Sequence, residues 1–577
     1  MHPTPPASPA PVAEPDGTPL SYIVVIDAGS KGTRAYLYAY SPNDRTKLIN
    51  LPDWHKRIRP SIESFVLSAG LNYNNVSLYL THLLFKINTI LPIEQHYRTP
   101  IFFHSTAGFR LLEPDTQSTL LSHICTYLQT NTNYYIPHCD SHVSVITGEV
   151  EGLYSWITLN YLLSSTTTSS SPLLLQLGGG SAQIVYQTST PIHSINGLTL
   201  HLPQGSINIF SNSYLGFGIN QIRQDYQQSL TSSDTSTLID PCLPLNYIST
   251  VTIDDKLYTL TGSADYSSCT NLIYDQISAN FDSCASLTPF QLSQCMIPSY
   301  VDYNISQNTT FYAISGYAHI IKDIANLFNK DLSNPQERSS LPELTQKLCS
   351  SSIEQLQEFP NTNNLNNDKI ASLCFNSIYV QALLQTGFNI PIDSPNLHFN
   401  KTFNNKKFTW ILGRALLYAL DDNTFNKTNS HYGFTYNLTP HAFINGAEQN
   451  NVPSRPQFNP DHKYDSNPFL KSPDFNPDET ELIIQTSYPW LSISTIIIII
   501  ISSLIAIIIA FSKWTYIRRR IYSIFTKTRP LRSYSTKYND SNLELAILPP
   551  NPNTIDSENS DWDIDYENDS DGIERAL

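Results

Sequence analysis

From Tyr22 the chain reads YIVVIDAGSKGTRAYLYAY: an apolar run that stops at Asp27, a loop of small residues, then an alternating run. The first part is the pattern of a buried strand and the last that of a half-buried one, with the glycines joining them. The design returns at LLLQLGGGSAQIVY, where LLLQL and AQIVYQ are two strands around GGGS. Between these hairpins, PIFFHST reads as a strand leading into the helix-like AGFRLL, and VSVITG as another strand. EGLYSWITLNYLL places apolar residues at helical spacing. Strand–loop–strand units interleaved with helices predict an α/β architecture.

Outside this body the pattern changes. Residues 1–20 carry proline at seven positions and are expected to be a disordered lead, with no apolar stretch that would make a cleavable signal peptide. Residues 446–487, rich in Asn, Pro and Asp, read as a stalk. LSISTIIIIIISSLIAIIIAF (Leu491–Phe511) is 21 residues without a charge, the length of a helix crossing a bilayer. Tyr488 and Trp490 flank it on one side, Trp514 and Tyr516 on the other, so the span is expected over 489–512. Lys513, Arg518, Arg519, Arg520, Lys527, Arg529 and Arg532 follow it, while the flank before it is acidic. Positive-inside bias predicts a cytosolic C-terminus and a luminal or external N-terminal region. The tail 513–577 turns from basic to acidic and is expected to be disordered, open to anionic lipids at its start and to a cytosolic partner at its end.

Length and charge narrow the picture. The 577 residues allow more than one domain, and 40% hydrophobic content supports a sizeable core. A net charge of −15, without a basic tract in the main body, excludes nucleic acid as a partner. All 8 cysteines lie within 125–374, none in a tight CxxC pair, which argues against zinc. The region before the apolar run, which contains all these cysteines, holds glycosylation sequons at Asn75, Asn304, Asn308, Asn400 and Asn426, and a poorer one at Asn437, where Pro440 follows. Together they predict an oxidising, glycosylating compartment.

The loops supply the candidate chemistry. Gly29 and Gly32 let backbone approach a ligand, Ser30, Lys31 and Thr33 add donors, and Asp27 suits a cation accompanying an anion. The plain alternative is a hairpin turn with an Asx cap. Gly178 to Gln183 could cradle another side of the same phosphates. Thr106, Ala107 and Gly108 stand at a strand-to-helix junction, either a phosphate contact or an ordinary cap. Glu149 and Glu151 open a helix, where acids favour the dipole; the functional reading makes Glu151 a general base that orients water.

Taken in order, IDAGSKGTR, STAGFRLL, TGEVEGLYSWITLNYLL and LQLGGGSAQI resemble the first four conserved regions of the apyrase (nucleoside di- and triphosphatase) family. SYLGFGINQIR, DPC, LCFNSIYVQALLQTGF and FTWILGRALLYAL are similar to its later landmarks, so the resemblance covers about residues 22–420. A C-terminal anchor is most similar to the arrangement of the fungal Golgi members. The resemblance implies an actin-like (RNase H-like) two-lobed ectodomain plus the C-terminal transmembrane helix. Lobe I would cover 21–195, with 405–445 returning to it, and lobe II 196–404. It implies removal of terminal phosphates from nucleoside di- and triphosphates with Ca²⁺ or Mg²⁺, Mn²⁺ being the further option.

Carried over by motif, Glu151 is the base and Glu149 a non-catalytic neighbour. Gln183 positions the attacking water, and Asp27 holds the metal, largely through water. The loops Gly29–Arg34 (GSKGTR), Thr106–Gly108 and Gly178–Ala182 (with Gly179, Gly180 and Ser181) contact phosphates. The cysteines suit the pairs 242–269, 284–295 and 349–374, with Cys125 and Cys139 as a fourth. Two departures stand out. Gln176 occupies the place of the family's usual aspartate: its amide can hydrogen-bond a metal-bound water but removes one negative charge, so weaker or altered metal binding is expected. Lys31 replaces the usual small residue, facing either a phosphate or solvent.

The leading expectation is therefore a membrane-anchored phosphatase acting on GDP, UDP and similar nucleotides in the Golgi lumen. The alternative is a nucleotide-binding regulatory protein in which Gln176 has cost turnover. A sugar kinase or chaperone of the same superfold is disfavoured, because the anchor places the chain where ATP-driven kinases are scarce.

Overall fold

The computed structural model describes residues 10–444 and residue 456, apart from 52–53, 68–69, 164–170, 232–234, 254–255, 285–308, 360–364, 405, 422–431 and 439–442. The expected stalk apart from residue 456, the span Leu491–Phe511 and the tail lie outside the described residues. Among the described residues no helix is long and apolar enough to cross a membrane.

Two sheets carry the fold, and the second repeats the topology of the first. In the first, β1 (Ser21–Gly29) pairs antiparallel with β2 (Gly32–Tyr40), on which β3 (Leu48–Ile49) and β4 (His55–Ile58) continue the sheet. On its other side β1 pairs parallel with β5 (Ile101–Ser105), and β5 with β6 (Val143–Val145). In the second, β7 (Leu173–Leu177) pairs antiparallel with β8 (Ser181–Thr188), which continues into β9 (Gly197–Leu202) and β10 (Gly205–Leu215). On its other side β7 pairs parallel with β11 (Phe311–Ser315), and β11 with β12 (Leu397–Phe399). Hairpin plus third strand on one side and two parallel strands on the other, twice over, is the two-lobed α/β plan expected from the sequence.

Two helices fasten the lobes together. The first, α1 (Gly148–Leu163), packs on β8 and β10 of the second sheet. The second, α2 (Trp410–Leu420), packs on α1 and on β1 of the first. Both are apolar nearly all round, as a helix covered on every side must be. The crossing is close: a Cβ on Gly413 would lie 2.1 Å from the Tyr154 carbonyl oxygen, so only glycine fits. Val25 and Phe102 of the first sheet, Leu174 and Val185 of the second, and Leu153 and Ile411 of the helices form one continuous core. Each such side chain contributes about 1.5–3 kcal/mol by leaving water. A second core under the second sheet takes the disulfides Cys242–Cys269 and Cys349–Cys374. Cys125–Cys139 is also formed; the expected pair 284–295 falls outside the described residues.

Two boundary expectations change. β7 and β8 belong to the second sheet through β10 and β11, so the first lobe's sheet ends before residue 173 rather than at 195. Of the returning segment 405–445, α2 does reach β1, but β13 (Gly433–Tyr436) adds to β9 at the edge of the second sheet. The proline-rich lead, expected to be disordered to residue 20, is ordered from Ala10. Ala10 donates its N–H to the Ile90 carbonyl at 2.8 Å, and both Ala10 and Leu20 are buried. Asn437 is committed structurally: it accepts from Thr199 Oγ1 at 2.7 Å and donates to the Ile192 carbonyl at 3.1 Å.

Candidate active site

Ligand sites in parallel sheets gather beyond the carboxyl ends of the strands, and here those ends from both lobes meet. β1 ends at Gly29, β5 at Ser105, β7 at Leu177 and β11 at Ser315. Residues at or just beyond each of these ends line one cleft of about 270 Å³. The two hairpin loops touch: a Cβ on Gly179 would meet Ser30 Oγ at 2.4 Å and Lys31 Cε at 3.4 Å. A Cβ on Gly180 would meet Ala107 at 2.8 Å, and one on Gly108 would meet the Glu63 carboxylate at 1.9 Å and Ser30 Cα at 3.3 Å. Side chains at these positions would fill the space in which three backbone segments converge.

The structure brings Asp27, Gly29, Ser30, Lys31, Arg34, Thr106, Ala107, Glu151, Gln176, Gly178, Gly179, Gly180 and Ser181 to the cleft. Lys31 thus faces the gap between the loops. Five expected residues sit behind it. Gly32, at φ +141, lets β4 approach, since a Cβ there would lie 2.5 Å from the Ile58 carbonyl oxygen. Thr33 is buried and donates its N–H to the Tyr79 hydroxyl at 3.1 Å. Gly108 backs onto Glu63, and Ala182 lies in the core of the second lobe. Gln183 is fully buried as well: its Nε2 donates to Ser181 Oγ at 2.7 Å and Ser213 Oγ at 3.2 Å, while Oε1 has no partner among the described residues.

Around Glu151 the polar contacts are dense. Arg110, which the sequence reading did not single out, reaches Glu151 Oε2 at 3.0 Å, Ser181 Oγ at 3.2 Å and the Ile146 carbonyl at 3.0 Å. Gln176 donates from Nε2 to Glu151 Oε1 at 3.4 Å, and its Oε1 accepts a bond from Ser155 Oγ. Burial pushes the Glu151 carboxyl above the usual range, and the Arg110 guanidinium draws it back. Asp27 pairs with Arg34 at 3.3 Å; burial pushes it up to about 6, against the pull of Arg34. Glu149 is half-buried and outside the cleft lining.

Cation binding can be judged from these donors. Among the described residues no group of three or more His, Cys, Asp or Glu converges. Asp27 offers one carboxylate, already shared with Arg34, and the Gln176 amide is engaged at both ends. That set fits a hard cation arriving on phosphate and keeping most of its water, as Mg²⁺ does, rather than one caged by protein oxygens.

Fold and site define a two-lobed α/β protein whose glycine loops face each other across a polyanion-sized cleft, with one carboxylate poised at a helix start. The family model for GDA1/CD39 (nucleoside phosphatase) proteins matches residues 15–431. The chain belongs to that family and is a nucleoside phosphatase. It is 28% identical to a Golgi apyrase of Schizosaccharomyces pombe over 443 residues, 69% of this chain and 75% of the relative. It is 26% identical to a Golgi apyrase of Saccharomyces cerevisiae (69% and 70% covered), and 25% to the nucleoside-diphosphatase mig-23 of Caenorhabditis elegans (70% and 78%). Among solved structures, a nucleoside triphosphate hydrolase from Neospora caninum aligns at TM-score 0.45 with 15% identity, covering 69% of this chain and 92% of that one.

Proposed function

We propose that the protein hydrolyses the terminal phosphate of nucleoside di- and triphosphates, GDP and UDP among them, in the Golgi lumen, anchored by Leu491–Phe511. The compartment rests on the names of the relatives, the span and positive flank in the sequence, and three disulfides in the structure. Removing nucleoside diphosphates left by glycosyl transfer would be its role there.

The observation that carries the chemistry is Glu151 at the cleft wall, held by Arg110 and Gln176 beside converging phosphate loops. Glu151 takes a proton from water as the water oxygen bonds to the terminal phosphorus; the bridging P–O bond breaks and the nucleotide leaves one phosphate shorter. Backbone N–H groups of the loops at 29–31 and 179–181 and the Lys31 ammonium meet the charge on the equatorial oxygens. Asp27 would hold a Mg²⁺ or Ca²⁺ ion through water, and that ion would supply further neutralisation of the polyphosphate. Gln183 acts one step removed, by fixing Ser181, which Arg110 also contacts. A binding-only reading gains no support, because Gln176 holds Glu151 in the cleft rather than displacing it.

Phosphate release from GDP by the purified luminal region tests the reading. Glu151→Ala should abolish it. Undiminished release in that variant would refute the assignment.

A further inference from the structure

Behind the loops of the first lobe lies a carboxylate that the chemistry above does not use. Glu63 sits on a single 3₁₀ turn, Ile62–Phe65, whose Ile62 and Phe65 are buried and whose Phe65 ring meets Tyr79 edge-on at 5.5 Å. Tyr79 in turn accepts the Thr33 N–H at 3.1 Å and donates to the Pro60 carbonyl at 2.7 Å, which ties the turn to the first hairpin. A Cβ at position 108 would stand 1.9 Å from Glu63 Oε1 and 3.3 Å from Ser30 Cα. The carboxylate, the Ser30 loop and the segment at Gly108 therefore converge on one point, and the missing side chain of Gly108 makes the room.

Glu63 Oε2 is closed off from solvent and has no hydrogen-bond partner among the described residues. Burial pushes this carboxyl up to about 7; its own N–H and Ser61 draw it down, and the charge of Asp27 adds to the rise. Asp27 and Tyr79 are the titratable groups that share its field, and Arg57 acts on both of those. Arg110, on the turn Ala107–Arg110, is committed to Glu151, Arg59 packs at Gly32, and Lys31 faces Gly179. A negative charge on Glu63 works against the loop in front of it. The loop's N–H groups gather polyphosphate, and a carboxylate at their back, shielded from water, repels it. With its proton, the same side chain packs against Gly108 and Ser30 without that repulsion.

We propose that Glu63 is a positioning residue for polyphosphate: its carboxyl braces the Ser30 and Gly108 segments from behind, and its proton sets how tightly the loop holds the ligand. This rests on the reading that the Ser30 loop grips a nucleotide's phosphates. Polyphosphate and the Glu63 proton favour each other's binding, so affinity declines as pH rises through neutrality. Glu63 touches neither Glu151 nor the cleft lining, and the chemical step does not feel the change.

The test measures kcat and KM for GDP at pH 6 and pH 8 in the full chain and in Glu63→Gln, Glu63→Met and Glu63→Asp. The two uncharged variants should match the native KM at pH 6 and lie about tenfold below it at pH 8, with kcat kept. Glu63→Asp, which keeps the charge, should not fall below the native KM at either pH. Comparing variants at one pH cancels the ionisation of GDP itself. A native-to-variant KM ratio that is the same at both pH values, or a loss of kcat in place of the KM shift, overturns the proposal. Glu63→Met decides the matter should the Gln chain fail to fold. Should the native chain release no phosphate from any nucleotide, the hydrolase reading fails, while calorimetric GDP affinities of the same variants at the two pH values still judge Glu63.

Discussion

The two hairpins share a backbone and differ in charge. Asp27 of β1 faces Arg34 of β2 in register, and Gln176 of β7 faces Gln183 of β8 at the same place in the repeated topology. The first hairpin carries an ion pair with a further arginine beside it; the second carries two neutral amides that hydrogen-bond Glu151, Ser155, Ser181 and Ser213. The duplicated fold therefore provides two similar phosphate loops, while the side chains split the work. One hairpin manages charge and the other positions the base and the facing serine.

That split can be attacked at its shared target first. Glu151→Gln keeps the shape and removes the base, so kcat should fall by about 10²–10⁴ with folding retained; single-turnover phosphate release measures it.

Next in size is Arg110, the link between Glu151 and the second hairpin. Arg110→Met leaves a buried carboxylate without its cation, at a cost of about 3–5 kcal/mol in denaturant titration near neutral pH. Burial then acts unopposed on Glu151. Since the base works ionised, the rising limb of the pH–rate profile should move to higher pH.

A third variant makes the hairpins alike. Gln176→Asp replaces the amide that donates to Glu151 with a carboxylate beside it, so repulsion should move the same limb upward. It should also tighten cation binding, lowering the Mg²⁺ or Ca²⁺ concentration at half-maximal activity by about tenfold. Unchanged metal dependence would mean the second hairpin's neutrality has no bearing on cation use.

Asp27→Asn, read through stability rather than turnover, neutralises the first hairpin's acid. The folded chain holds the Asp27 proton up to about pH 6, whereas the unfolded chain releases it near 3.8. The native state thus binds more protons in that window, and stability declines as pH rises through it. The variant should lose this limb, a difference on the order of 2–3 kcal/mol above pH 6, seen as a flatter profile of denaturation midpoints.

The strands around both loops were legible because their periodicity is local: YIVVID, AYLYAY, LLLQL and AQIVYQ each declare a strand with no distant partner. Glu151, Asp27 and the glycine loops were legible through ordered motifs. Arg110 lies inside the quoted STAGFRLL, yet nothing in that string shows which carboxylate it meets 41 residues on. Gly32, Thr33, Gly108 and Ala182 sit within the right motifs but support the loops from behind, a distinction made by β4, Tyr79 and Glu63, all distant in sequence. The assignment of β7 and β8 to the second lobe was equally hidden, since a strand's sequence fixes its faces and not its neighbours.

By itself, then, the chain's sequence determined the local elements, the chemical types at the cleft and the family. Only the tertiary structure decided which charges meet: that Arg34 covers Asp27, and that Arg110 and Gln176 hold Glu151. Hydrophobic pattern is a property of neighbouring residues, whereas an ion pair or a burial-shifted carboxyl depends on what long-range packing places within a few ångströms.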